Sequence, residues 1–95
     1  MQSVLSNKGI YSVIDLEGEI DESCAPQLRN DLDSKINLTG KNVVFDFKRV
    51  SFMDSTGIGV LLGRYKKLKS MGKNVYIAHP HNHIDKIMSM SGMYT

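Results

Sequence analysis

The spacing of apolar positions changes several times along this chain of 95 residues, and each change marks an element. Val4-Leu5 predicts a short strand, and Ser6 to Gly9, "SNKG", reads as a turn because Asn and Gly tolerate positive φ. Ile10 to Leu16, "IYSVIDL", is rich in β-branched and aromatic residues and predicts the second strand of a hairpin. The period then lengthens: Ala25, Leu28, Leu32 and Ile36 fall on one helical face. Ser23 is the expected N-cap, and Pro26 falls in the first turn, where its missing N–H costs little. This helix should end near Asn37. Asn42 to Phe47, "NVVFDF", is a continuous apolar run of the kind found in strands covered on both faces. Ile58, Leu61, Leu62, Tyr65 and Leu68 repeat at helical spacing. Lys66, Lys67 and Lys69 stand at the end of that helix, where cations suit the dipole, and Gly72 is the expected C-terminal cap. Val75 to Ala78 predicts another short buried strand, and Ile84, Ile87 and Met88 a last helix.

The order is therefore β-β-α-β-α-β-α. It predicts an α/β domain over residues 1–95, a small mixed β-sheet with helices packed on it. Asn42 to Ala78 forms a β-α-β unit, whose strands should be parallel with a right-handed crossover. The length allows one domain and one modest core. A net charge of +2 is too small to point to direct nucleic-acid or membrane binding. The cluster Lys66, Lys67, Lys69 and Lys73 reads as a solvated helix end. A single cysteine, Cys24, forms no internal disulfide. No apolar run approaches the roughly 20 residues of a bilayer span, and no basic-then-apolar leader opens the chain. The expectation is a cytoplasmic protein.

Ser51 to Gly59, "SFMDSTGIG", carries the candidate chemistry. Asp54, Ser55 and Thr56 fall past a strand and at a helix start, the rim where ligands gather on open α/β sheets. Plain capping accounts for Asp, Ser and Thr at such a place. It does not account for the glycines, since each costs about 1 kcal/mol inside a helix. Close helix–sheet packing would explain Gly63, and close approach of another molecule Gly57 and Gly59. A phosphate on Ser55 would be stabilised there by free N–H groups and the helix dipole.

Other chemistries fit less well. A serine-hydrolase elbow needs glycine where Met53 stands. A dinucleotide loop needs a tighter glycine spacing than Gly57, Gly59 and Gly63 offer, and an acidic residue near Ala78. His79, His81 and His83 alternate as metal ligands would, but lack acidic or thiolate companions, and a solvated loop is the plainer reading. No catalytic residue, metal or cofactor is expected.

"FDFKRVSFMDSTGIGVLLGRYKKLKSMGK", the Gly-Glu-Ile-Asp of "LEGEID" and the later "MSG" together resemble the STAS-domain anti-sigma factor antagonists, most of all the sporulation branch. The resemblance runs from about Ile10 to Tyr94. It implies a regulator rather than an enzyme. In its unphosphorylated form such a protein binds an anti-sigma factor that is also a serine kinase, and so frees the sigma factor. The kinase phosphorylates the antagonist and releases it, and a serine phosphatase reverses the change. Carried over by motif position, the phosphorylated residue is Ser55. The partner-binding face is Asp21, Asp54, Thr56, Gly57, Ile58 and Gly59. Thr56 stands where the sporulation members usually have serine, and keeps a second hydroxyl. Members of the family continue past "MSG" with a further strand and helix, which are expected to be short or missing in a chain ending at Thr95. The resemblance also admits a STAS module of a stress-signalling or scaffold system with a different kinase.

Overall fold

Residues 1–38 and 42–80 are described by the computed structural model. They form β1 (Gln2–Lys8), β2 (Tyr11–Ile20), α1 (Ala25–Leu38), β3 (Asn42–Met53), α2 (Ser55–Ser70) and β4 (Val75–Ala78). The expected last helix lies outside the described residues. The four strands make one mixed sheet in the order β1-β2-β3-β4. β1 and β2 are antiparallel, while β2/β3 and β3/β4 are parallel. Both parallel pairs are joined through a helix, so β2-α1-β3 is a second β-α-β unit beside the one expected from Asn42 to Ala78. β4 is only four residues long and is not buried as expected: Tyr76 is exposed and Val75, Ile77 and Ala78 are half-buried, since among the described residues β4 pairs with β3 alone.

The opening hairpin turns later than expected. Ser6 and Asn7 continue β1, and the loop is Gly9-Ile10, closed by the Lys8–Tyr11 pair. Pairing decides this: the Ser12 hydroxyl donates to Asn7 Oδ1 across the strands at 3.0 Å, which gives Asn7 a partner in the ladder.

β3 is twice as long as the apolar run suggested, and its two faces are not equally buried. Val43, Phe45 and Phe47 are buried, whereas Val44 and Asp46 between them are half-buried. Ile14 and Leu16 of β2 lie on the buried side with them, together with Leu28, Leu32 and Ile36 of α1 and Ile58, Leu61 and Leu68 of α2, in one core. Arg64 of α2 and Asp33 of α1 lock the helices together at 3.0 Å, with Lys67 at 3.6 Å from the same oxygen.

Beyond Phe47 the burial period in β3 becomes three: Phe47, Val50 and Met53 point in, with two outward residues between each. Two register shifts against β2 cause this, each giving β3 one extra residue. Such bulges bend the strand and re-aim side chains. They also carry Met53 to the core beside Ile20 and deliver the chain to the start of α2.

Candidate functional site

The β3-to-α2 turn is built around Asp54. Its backbone is extended, and one side-chain oxygen accepts the N–H of Gly57 at 2.9 Å, the arrangement of a helix N-cap. The other oxygen accepts the N–H of Glu22 at 3.1 Å. The Asp54 N–H donates to the Ile20 carbonyl at 3.1 Å. One residue thus ties the start of α2 to the loop between β2 and α1. That loop carries Asp21 and the end of the Gly-Glu-Ile-Asp motif, so two segments far apart in sequence meet at Asp54.

Gly18 of that motif has a sequence reason. Its φ is +92, beside the second register shift, and a Cβ there would lie 3.3 Å from the Met1 nitrogen. A side chain would be strained in that conformation.

Asp21 organises its own loop. Its Oδ1 accepts the Ser23 hydroxyl at 2.6 Å and the Ser23 N–H at 3.0 Å. The hydroxyl bond is the largest influence and holds its carboxyl below the ordinary aspartate range; burial opposes it, and the backbone N–H groups of Ser23 and Cys24 reinforce it. Ser23 is therefore not the N-cap of α1. Its hydroxyl faces Asp21, and the first helical bond runs from the Leu28 N–H to the Cys24 carbonyl. The Cys24 thiol lies 3.4 Å from the Asp21 carbonyl, inside the same loop.

Asp21, Glu22, Ser23 and Asp54 line one shallow open depression. Ser55 and Thr56 are exposed as the first residues of α2, with hydroxyls free to reach a visitor at the helix's positive end. Gly59 is exposed one turn on, and a Cβ there would meet nothing within 4 Å.

Gly57 and Ile58 are placed differently. Both are buried, and Ile58 is part of the core. A Cβ on Gly57 would lie 2.7 Å from Ile20 Cγ2 and 2.8 Å from the Ile20 carbonyl oxygen. The tight helix–sheet approach expected at Gly63 is at Gly57, while Gly63 has nothing within 4 Å of its Cβ position. Residue spacing along the helix could not reveal this. It depends on where β2 ends, and Ile20 lies under the first turn of α2.

The structure adds Glu22 and Ser23 to the site, and Asp54 as the joint between motifs. No sequence signal marked Glu22, because its contribution is a backbone N–H. His79 lies 3.2 Å from Asp46, while His81 and His83 lie outside the described residues.

The STAS domain model matches residues 3–95. The chain belongs to the STAS domain family. An anti-sigma F factor antagonist of Paenibacillus polymyxa is 30% identical over 83 residues, 86% of this chain and 71% of that protein. An anti-sigma-B factor antagonist of Bacillus subtilis is 31% identical over 80 residues, 84% of this chain and 72% of that protein. Among solved structures, the anti-sigma factor antagonist SpoIIAA in its unphosphorylated form superposes with a TM-score of 0.75 at 27% identity, covering 94% of this chain and 83% of that one. The Bacillus cell fate determinant SpoIIAA in the phosphorylated form gives 0.77 at 28%, covering 98% and 86%. The Asp54 turn places Ser55 where the segments Leu16 to Asp21 and Ser51 to Gly59 meet.

Proposed function

We propose that this STAS domain is an anti-sigma factor antagonist and not an enzyme. Unphosphorylated, it binds an anti-sigma factor with serine kinase activity and frees the sigma factor. Phosphorylation of Ser55 ends that binding, and a serine phosphatase restores it. One observation carries the reading: Ser55 is exposed at the amino end of α2, directly after the Asp54 cap that joins the two signature segments.

The physics of the switch follows from that position. A phosphoserine adds about −1.5 to −2 charges at neutral pH. Within the domain, the dipole of α2 and its first N–H groups offset that charge. A partner seated over Ser55 and the open backbone at Gly59 meets the same dianion together with Asp21 and Asp54. The fold keeps the modification and the interface rejects it. Similarity to SpoIIAA in both phosphorylation states supports a fold that accommodates either form.

A second reading differs only in the partner, since a stress-type anti-sigma B antagonist is similar to the same degree. Incubation with purified anti-sigma F factor or anti-sigma B factor and ATP, followed by peptide mass spectrometry, tests both. The proposal expects one phosphate, on Ser55, with one of the two kinases. Phosphate on another residue alone, or none with either, contradicts it.

A further inference from the structure

Phe52 stands two residues before Asp54 and is 50% exposed. Among the described residues, the other large exposed apolar side chains lie on the outer strands of the sheet, as Val4 and Tyr76 do, or at turns and helix ends, as Ile10, Leu38 and Met71 do. Phe52 is on the inner strand β3, and a register shift puts it outside. The β2/β3 pairs run Gly18–Val50 and then Glu19–Phe52, so Ser51 is an extra residue. Plain alternation from the buried Val50 would turn Phe52 inward and Met53 outward. The bulge reverses this: Met53 is 2% exposed and the phenyl ring faces solvent. Bulges gather beside functional sites, where they re-aim one side chain.

One carboxylate faces it across the strands: its partner Glu19 is exposed. Asp21, Glu22 and Asp54 line the depression at the β3-to-α2 turn, two residues further along the chain. A large apolar group beside a carboxylate and next to an acidic depression fits a protein surface that offers an apolar pocket flanked by arginine or lysine. Central aromatic residues with a polar rim are the usual energetic anchors of such contacts.

We infer that Phe52 is the apolar anchor by which this chain docks on its anti-sigma factor, with Glu19 as part of the charged rim. This rests on the function proposed above and adds a residue, and a partner chemistry, to it. The ring is held by β3 and not by the α2 turn. It therefore contributes to affinity in the unphosphorylated state while Ser55 supplies the switching.

The test is isothermal titration of purified anti-sigma F and anti-sigma B factors into the unphosphorylated wild type, Phe52→Ala and Phe52→Leu, with thermal unfolding of each variant alongside. With the factor that binds wild type, Phe52→Ala should weaken binding about ten- to thirty-fold. Phe52→Leu should weaken it less, and the melting temperature should change little, because half the ring is already in water. Wild-type binding with equal affinity for Phe52→Ala overturns this inference and leaves the function standing. No binding of wild type to either factor overturns both. Light scattering supplies a further contrary outcome: a wild-type dimer made monomeric by Phe52→Ala, at unchanged affinity for the factor, would assign the ring to a second copy of the chain.

Discussion

Gly57 lies so close to Ile20 that a Cβ on it would fall 2.7 Å from Ile20 Cγ2 and 2.8 Å from the Ile20 carbonyl oxygen. The carbonyl belongs to β2 and already accepts the Asp54 N–H, so it cannot move aside without disturbing the cap. Gly57→Ala should therefore destabilise the domain. Overpacking costs about 1–3 kcal/mol, against a gain of about 1 kcal/mol from better helix propensity. Urea unfolding should show a net loss of up to about 2 kcal/mol. A stabilising effect would show that the approach of α2 to β2 is looser than described.

Gly59 and Gly63 give the opposite expectation. Neither has an atom within 4 Å of its Cβ position. Alanine at either should stabilise α2 by up to about 1 kcal/mol. Only Gly59→Ala should also weaken binding to the anti-sigma factor, because Gly59 is exposed in the turn after Ser55. Paired urea and binding titrations of the two variants separate the effects. Equal affinities would take Gly59 out of the partner face.

Asp54→Ala removes the acceptor of two N–H groups, those of Gly57 and Glu22. Loss of an N-cap costs about 0.5–2 kcal/mol. Because the same side chain ties the β2–α1 loop to α2, amide exchange should accelerate at Gly57 and at Glu22 together. Faster exchange at Gly57 alone would mean that the link to Glu22 is not made in solution.

Much of this architecture was legible in the residues. The hydrophobic pattern marked β2 as far as Leu16, and α1, α2 and β4, because each has one face committed to a single core, but it missed the last four residues of β2. Ser55 at a helix start followed from the Asp-Ser-Thr capping residues just ahead of the helical period that begins at Ile58. The second half of β3 was not legible, since the bulges replace a period of two with a period of three over Lys48, Arg49 and Ser51. The same bulges hid the exposure of Phe52. The tight packing was expected at Gly63 and not at Gly57 because the deciding contact, Ile20, lies in another element. Ser23 looked like a cap by residue type, but Asp21 competes for its hydroxyl.

Acid should loosen the attachment of β1 to α1. The Ser3 hydroxyl donates to Asp31, which also pairs with Lys35 at 2.9 Å. The Ser3 bond is the largest influence and holds the Asp31 carboxyl below its ordinary range; burial opposes it, and Lys35 reinforces it. A carboxylate with a depressed folded pKa contributes stability above its unfolded pKa and loses it as pH falls through the folded value. Stability should thus fall as pH drops below about 4. Ser3→Ala should lower the melting temperature at pH 7 and flatten its decline between pH 4 and pH 2. An unchanged acid profile would remove Asp31 from this role.

The central claim is that a phosphate on Ser55 is tolerated by the domain and refused by its partner. The most direct measurement is titration of the anti-sigma factor with the chain phosphorylated at Ser55 and with the unmodified chain, with thermal unfolding of both. A clash with the dianion of roughly 3–4 kcal/mol would weaken binding several hundred-fold. The melting temperature of the phosphorylated form should be no lower than that of the unmodified one. Equal affinities, or a phosphorylated domain that unfolds, would contradict the account.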